Sequence, residues 1–160
     1  MYMGDSSLRD SKKTNISPII NIKNEERIIG IEFIGPTIQV PGKLEDSAVF
    51  YTGGLMVWSP AGYLSPTGGG IPAGVLVGFG GSTGELGTMI VAPGLHPDAV
   101  ILKGYAWVPY PSAHQSDIGK IFYIRDDSHL SLEAGGNKHG LACESVRIDE
   151  SVLLNFFSIH

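Results

Sequence analysis

From Val100 to Phe157 the apolar residues fall into short runs, AVILKGYAWV, GKIFYI, HLSLEA, HGLACESV and SVLLNFF, separated by Gly-Lys, Asp-Asp, Gly-Gly-Asn and Asp-Glu. Short runs rich in Val, Ile, Tyr, Phe and Trp, bounded by turn formers, predict β-strands joined by hairpins. Within them the pattern alternates. Leu130, Leu132 and Ala134 share one face and His129, Ser131 and Glu133 the other, while Val146 and Ile148 oppose Arg147 and Asp149, as a half-buried pleat requires.

Upstream, IIGIEFIG predicts a strand that Gly35-Pro36 ends, and AVFY and LMVW predict a hairpin across Thr52-Gly53-Gly54. AGVLVGFG and GTMIVAPG add two strands on either side of the glycine-rich tip Gly80–Gly84. All ten prolines precede Ser112. The proline-free C-terminal third suits strands paired on both sides, where every backbone N–H is used. Helical periodicity is nearly absent, with one turn at most between Pro111 and Ile118. The expectation is an all-β fold, a small Gly-rich β-barrel or sandwich spanning 28–160.

Residues 1–27 differ in character. They are polar, lack sustained periodicity and are interrupted by Pro18. Ile16, Ile19, Ile20 and Ile22 form one apolar knot among Arg9, Lys12, Lys13 and Lys23. The segment is expected to be an extended N-terminal arm laid along a partner subunit, with these eight residues as its contacts; folding back onto its own domain is the alternative.

Charge narrows the partners. The net charge is −5, and charged residues make up 17% of the chain, below the roughly 25% of ordinary soluble domains. Residues 1–27 hold five basic and four acidic side chains, whereas 28–160 hold six basic and twelve acidic. An acidic body repels phosphate backbones, so no nucleic-acid partner is expected. A surface poor in charge is common where much of it meets other subunits. The single cysteine, Cys143, excludes an intrachain disulfide and a cysteine-based zinc cage. No run approaches a membrane span and none resembles a signal peptide, so synthesis in a reducing cytoplasm and no membrane partner are expected.

Candidate chemistry is sparse. Gly78-Phe79-Gly80-Gly81-Ser82-Thr83-Gly84 lacks the Gly-Lys-Ser/Thr ending of a P-loop and no helix follows it. His96, His114, His129, His139 and His160 are scattered, and only His129 and His139 could face each other across a hairpin. His139 and Cys143, four apart on a strand, would sit about 13 Å apart, too far for proton transfer. Asp126-Asp127 reads as a turn whose carboxylates cap local N–H groups. No catalytic, metal or cofactor-binding residue is nominated, and the chain is not expected to be an enzyme. Tyr105, Trp107 and Tyr110, with Phe50, Tyr51 and Trp58, are candidates for a sugar-stacking platform, an interface or core packing.

The order Gly53-Gly54-Leu55, Ala73–Gly78, Lys103–Pro109, Asp117–Ile124, Gly135–Gly140 and Val152–Phe156 resembles the small β-domain of bacteriophage head decoration (capsid cement) proteins over residues 48–157. The resemblance implies a structural virion protein on the exterior of the capsid, made in the host cytoplasm. Its implied partners are the major capsid protein and copies of itself, a trimer being favoured, and it implies no catalytic residues. The insertion at 60–72 and the arm depart from a minimal domain of this kind. The alternative is a receptor- or carbohydrate-binding module of a phage tail or spike, resting on Tyr105, Trp107 and Tyr110.

Overall fold

Every residue from Pro72 to Phe79 is buried, and a strand buried on both faces needs a layer on each side. The computed structural model describes residues 19–24, 27–80 and 87–160, with side chains from Gly30 onward. It is all-β. Among the described residues twelve strands run β1 (Ile19–Asn24), β2 (Arg27–Lys43), β3 (Ala48–Tyr51), β4 (Leu55–Trp58), β5 (Leu64–Ser65), β6 (Ile71–Phe79), β7 (Thr88–Val91), β8 (Asp98–Pro109), β9 (Ile121–Asp126), β10 (His129–Ser131), β11 (Leu141–Arg147) and β12 (Ser151–Ile159). Among the described residues the one helical element is a 3-10 turn at Gln115–Asp117, inside the loop where one turn was expected. Asp117 holds it: its carboxylate accepts the His114 N–H at 2.9 Å.

Ten strands form one antiparallel sheet in the order β10-β9-β11-β12-β8-β6-β4-β5, with β2 also on β8 and β1 on β2. β3 and β7 form a separate two-stranded sheet. The central strands carry a different core on each face. Leu55, Val57, Val75, Val77, Val100 and Leu102 point into a first core with Ile31, Phe33, Phe122, Leu154 and Phe156. Met56, Leu76, Ala99 and Ile101 point into a second core, which Phe50 of β3 and Val91 of β7 close. The sheet curls around the first core until Asp127, just past β9, accepts the Leu55 N–H at 2.9 Å. A bridge between Leu44 and Leu64 joins the end of β2 to β5 beside the second core.

Three local expectations are corrected. Gly35-Pro36 does not end the second strand, which runs on to Lys43. Ile34 pairs with Tyr105 and Ile38 with Lys103, so Gly35, Pro36 and Thr37 stand opposite Gly104 alone. Two extra residues leave the pleat in phase, and Gly35 supplies the positive φ of +71° that the bulge needs. AVFY and LMVW do not form a hairpin either: β3 pairs with β7, and β4 with β5 and β6. Phe50 and Met56 enter the second core from opposite layers, so the turn at Thr52–Gly54 carries the chain from one sheet to the other. Buried Thr52 secures it, its hydroxyl accepting the Gly87 N–H at 2.9 Å. The expected strand His129–Ala134 stops at Ser131, whose hydroxyl accepts the Glu133 N–H at 3.0 Å.

Of the arm, residues 1–18 lie outside the described residues, and with them Arg9, Lys12, Lys13 and Ile16. Ile19, Ile20, Ile22 and Lys23 lie on β1, which pairs antiparallel with β2 of the same chain and places Ile20 opposite Ile31 and Ile22 opposite Ile29. Glu32 faces Trp107 across the β2–β8 ladder. Gly30 therefore stands level with Pro109, the last residue of β8, and the hairpin β1–β2 overhangs that end of the sheet.

Candidate functional site: an open sheet face and a free edge

The polar clusters are explained by local structure. Around β9–β10, Asp126 accepts the Ser128 N–H at 2.9 Å and lies 2.9 Å from His129 Nδ1. The Ser128 hydroxyl also reaches His129 Nδ1, at 3.2 Å. Carboxylate and hydroxyl thus share one imidazole nitrogen, whereas a nucleophilic triad needs them on opposite nitrogens. The cluster is an Asx turn, as expected for Asp126-Asp127. Burial works against ionisation of Asp126, but the Ser128 N–H and His129 outweigh it and hold its carboxyl below the usual range.

Cys143 lies in the first core and donates to the Ser145 carbonyl at 3.2 Å; burial pushes its thiol up. Among the described residues no group of three His, Cys, Asp or Glu side chains could hold a metal ion. No helix there is long and apolar enough to cross a membrane. An open groove beside Pro41, Gly42, Lys43, Asp98 and Ala99 is lined by few polar groups, and its two charged residues pair with each other at 2.8 Å.

The aromatic residues separate into two groups. Phe50 is in the second core and Trp58 packs against it; Tyr51 and Tyr110 pack on the first, with Tyr110 edge-on to Phe122 at 5.0 Å. Tyr105 and Trp107 face outward. Along β8, Val100, Leu102, Ala106 and Val108 are buried in the first core while Ala99 and Ile101 face the second. Lys103, Tyr105 and Trp107 continue the face of Ala99 and Ile101 past the reach of β3 and β7, and each is partly exposed. One sheet face is therefore covered at one end and open at the other.

The register assembles that open end from three strands. Glu32, Trp107 and Leu153 form one row, and Ile34, Tyr105 and Asn155 the next. Ile38 with Lys103 follows, and Phe157 comes two residues beyond Asn155. The first row is closed by the chain itself: the Arg147 guanidinium lies 4.1 Å over the Trp107 ring and 3.1 Å from Glu32. An indole already covered by a cation is a poor sugar-stacking surface. Beyond it Ile34, Ile38 and Phe157 are exposed by 37%, 51% and 44%, with no covering strand among the described residues. Phe157 meets Tyr105 edge-on at 6.2 Å, and the Asn155 side chain donates to the Tyr105 hydroxyl at 3.3 Å.

The strand edges differ in how they are blunted. β10 and β5 are three and two residues long, and β3 and β7 four each. The outer side of β2 beyond the hairpin carries the bulge, Pro36 and Pro41. Short strands, bulges and prolines are the ordinary protections against edge pairing. β1 has six residues without proline or bulge, and its outer edge has no ladder partner among the described residues.

No family model, curated protein or solved structure matches the chain.

Proposed function

We propose that this chain is a structural virion protein: a decoration or cement protein that seats on the outer surface of an assembled phage head. There it contacts the major capsid protein and copies of itself, as a trimer by the resemblance. The observation that carries the reading is the overhanging β1–β2 hairpin with the unblunted β1 edge. An added strand along that edge gains backbone hydrogen bonds and side-chain contacts on alternate positions. The low charged fraction and the open sheet face point the same way, toward a molecule that works through surfaces. Binding only the assembled shell stabilises that state by mass action.

The test is cosedimentation of the chain with purified heads that lack it, comparing the full chain with one lacking residues 1–24. The truncated chain should keep the unfolding midpoint of the body, because the β2–β8 ladder begins at Glu32, and should lose attachment. Undiminished attachment removes the hairpin from the mechanism. Copy number relative to the major capsid protein, by quantitative mass spectrometry of particles, separates a cement present in hundreds from a tail or spike component present in a handful.

A further inference from the structure

The open rows of the β2–β8–β12 face hold one partly buried cation that no described residue answers. Lys103 is partly buried, opposite Ile38 and two residues from Tyr105 on the same face. It makes no hydrogen bond or ion pair with any described residue. Lys43, Lys120 and Arg147, by contrast, pair with Asp98, Asp117 and Glu32. Arg125 and Lys138 make no ion pair among the described residues either, but both are exposed, whereas Lys103 is partly buried beside apolar side chains. Desolvating it further against a purely apolar partner would be costly, whereas a carboxylate brought in among apolar side chains would answer both features.

We infer that the open end of this face, Ile34, Ile38, Tyr105 and Phe157 around Lys103, receives an apolar polypeptide segment of the shell subunit bearing a carboxylate that pairs with Lys103. This rests on the decoration reading and adds to it the docking face and the chemistry of its occupant. The segment lies over the sheet as β3 and β7 lie over its other end, completing the second layer. The Gly35–Thr37 bulge stands beside the site, and Gly104 opposite it is tight: a Cβ there would sit 3.1 Å from Thr37 Cγ2 and 3.2 Å from the Pro36 carbonyl oxygen. That packing fixes the backbone on which Lys103 and Tyr105 are mounted.

The experiment is cosedimentation with heads lacking the chain, using the full-length protein, Lys103→Glu, Lys103→Met and Phe157→Ser, with Ile148→Ser in the β11–β12 turn as an exposed apolar control. Circular dichroism and unfolding midpoints establish that each variant is folded. Lys103→Glu should weaken binding about a hundredfold, Lys103→Met and Phe157→Ser about tenfold each, and Ile148→Ser should leave it unchanged. Added salt should weaken the wild type more than Lys103→Met. If the wild type binds and Lys103→Glu binds equally well, the inference is wrong while the decoration reading stands. If the wild type does not bind heads, the decoration reading fails and takes this inference with it. Displacement from heads by a uronic-acid oligosaccharide would overturn it in favour of a glycan. A dimer in sedimentation velocity that Phe157→Ser dissolves would overturn it in favour of a second copy of the chain.

Discussion

Replacing Leu76 with Ala tests whether the two cores are one cooperative unit. Leu76 is fully buried in the second core, on the strand whose neighbours Val75 and Val77 lie in the first. Removing its isobutyl group leaves a cavity between β6 and the β3–β7 layer, a loss of about 3 kcal/mol for Leu→Ala at such a site. With an m-value of about 2 kcal/mol per molar urea, the unfolding midpoint should fall by about 1.5 M. The two tryptophans report from different places: Trp58 packs against the second core, while Trp107 lies on the outer face under Arg147. In Trp58→Phe and Trp107→Phe backgrounds, each with and without Leu76→Ala, both fluorescence signals should move together. The two-stranded β3–β7 sheet is too small to be stable alone, and Met56, Ala73, Leu76, Ala99 and Ile101 of the second core sit on strands shared with the first core. A Trp58 transition that falls while the Trp107 transition holds would refute the shared-sheet argument.

Two other perturbations have defined outcomes. Arg147→Ala removes the guanidinium from Trp107 and from Glu32; both partners of the ion pair are about two-fifths exposed by side chain, so the cost should be about 1 kcal/mol, read as a lower urea midpoint and a red-shifted Trp107 emission. Burial raises the Cys143 thiol above 9.0, so the folded chain keeps a proton that the unfolded chain releases; its contribution is complete below that pH and is lost as pH rises above it. Stability should therefore decline less steeply in Cys143→Ala than in the wild type above pH 9.0, and a thiol reagent should modify the native wild type only after urea is added.

The C-terminal half was legible because its pairing is local. β9 joins β10 and β11 joins β12 through a turn, β11 returns to β9 past the short β10, and burial alternates along β9 at the period of the pleat. The N-terminal half was less so. Gly35-Pro36 has the composition of a strand end, and nothing local says that Gly104 will leave room for a bulge opposite it. AVFY and LMVW have the spacing of a hairpin, but Phe50 and Met56 need one core between two layers. β3 therefore finds its partner in β7, about forty residues away, where no local signal exists. Distant pairings of this kind are decided by which faces can be buried together, a property of the assembled sheet rather than of either segment.

β8 shows the same limit at the candidate site. Ile101, Lys103, Tyr105 and Trp107 have one parity in the sequence, and alternation places them on one face without distinguishing among them. Their surroundings differ because the covering layer ends between Ile101 and Lys103: Ile101 is fully buried, while the next three positions are partly exposed. The position of that boundary follows from the four-residue lengths of β3 and β7 and from their pairing, which a reading of β8 alone does not contain. The aromatic residues, grouped in the sequence, were therefore divided by topology. Tyr110 went to the first core beside Phe122, Trp107 was closed over by Arg147, and Tyr105 was left with Phe157 and Ile34 beside an unanswered lysine. Only an arrangement in which one layer stops short produces an exposed apolar row that is continuous with a core. An exposed row of that origin is already shaped to take a covering layer, because the same sheet face takes one from β3 and β7 a few residues away.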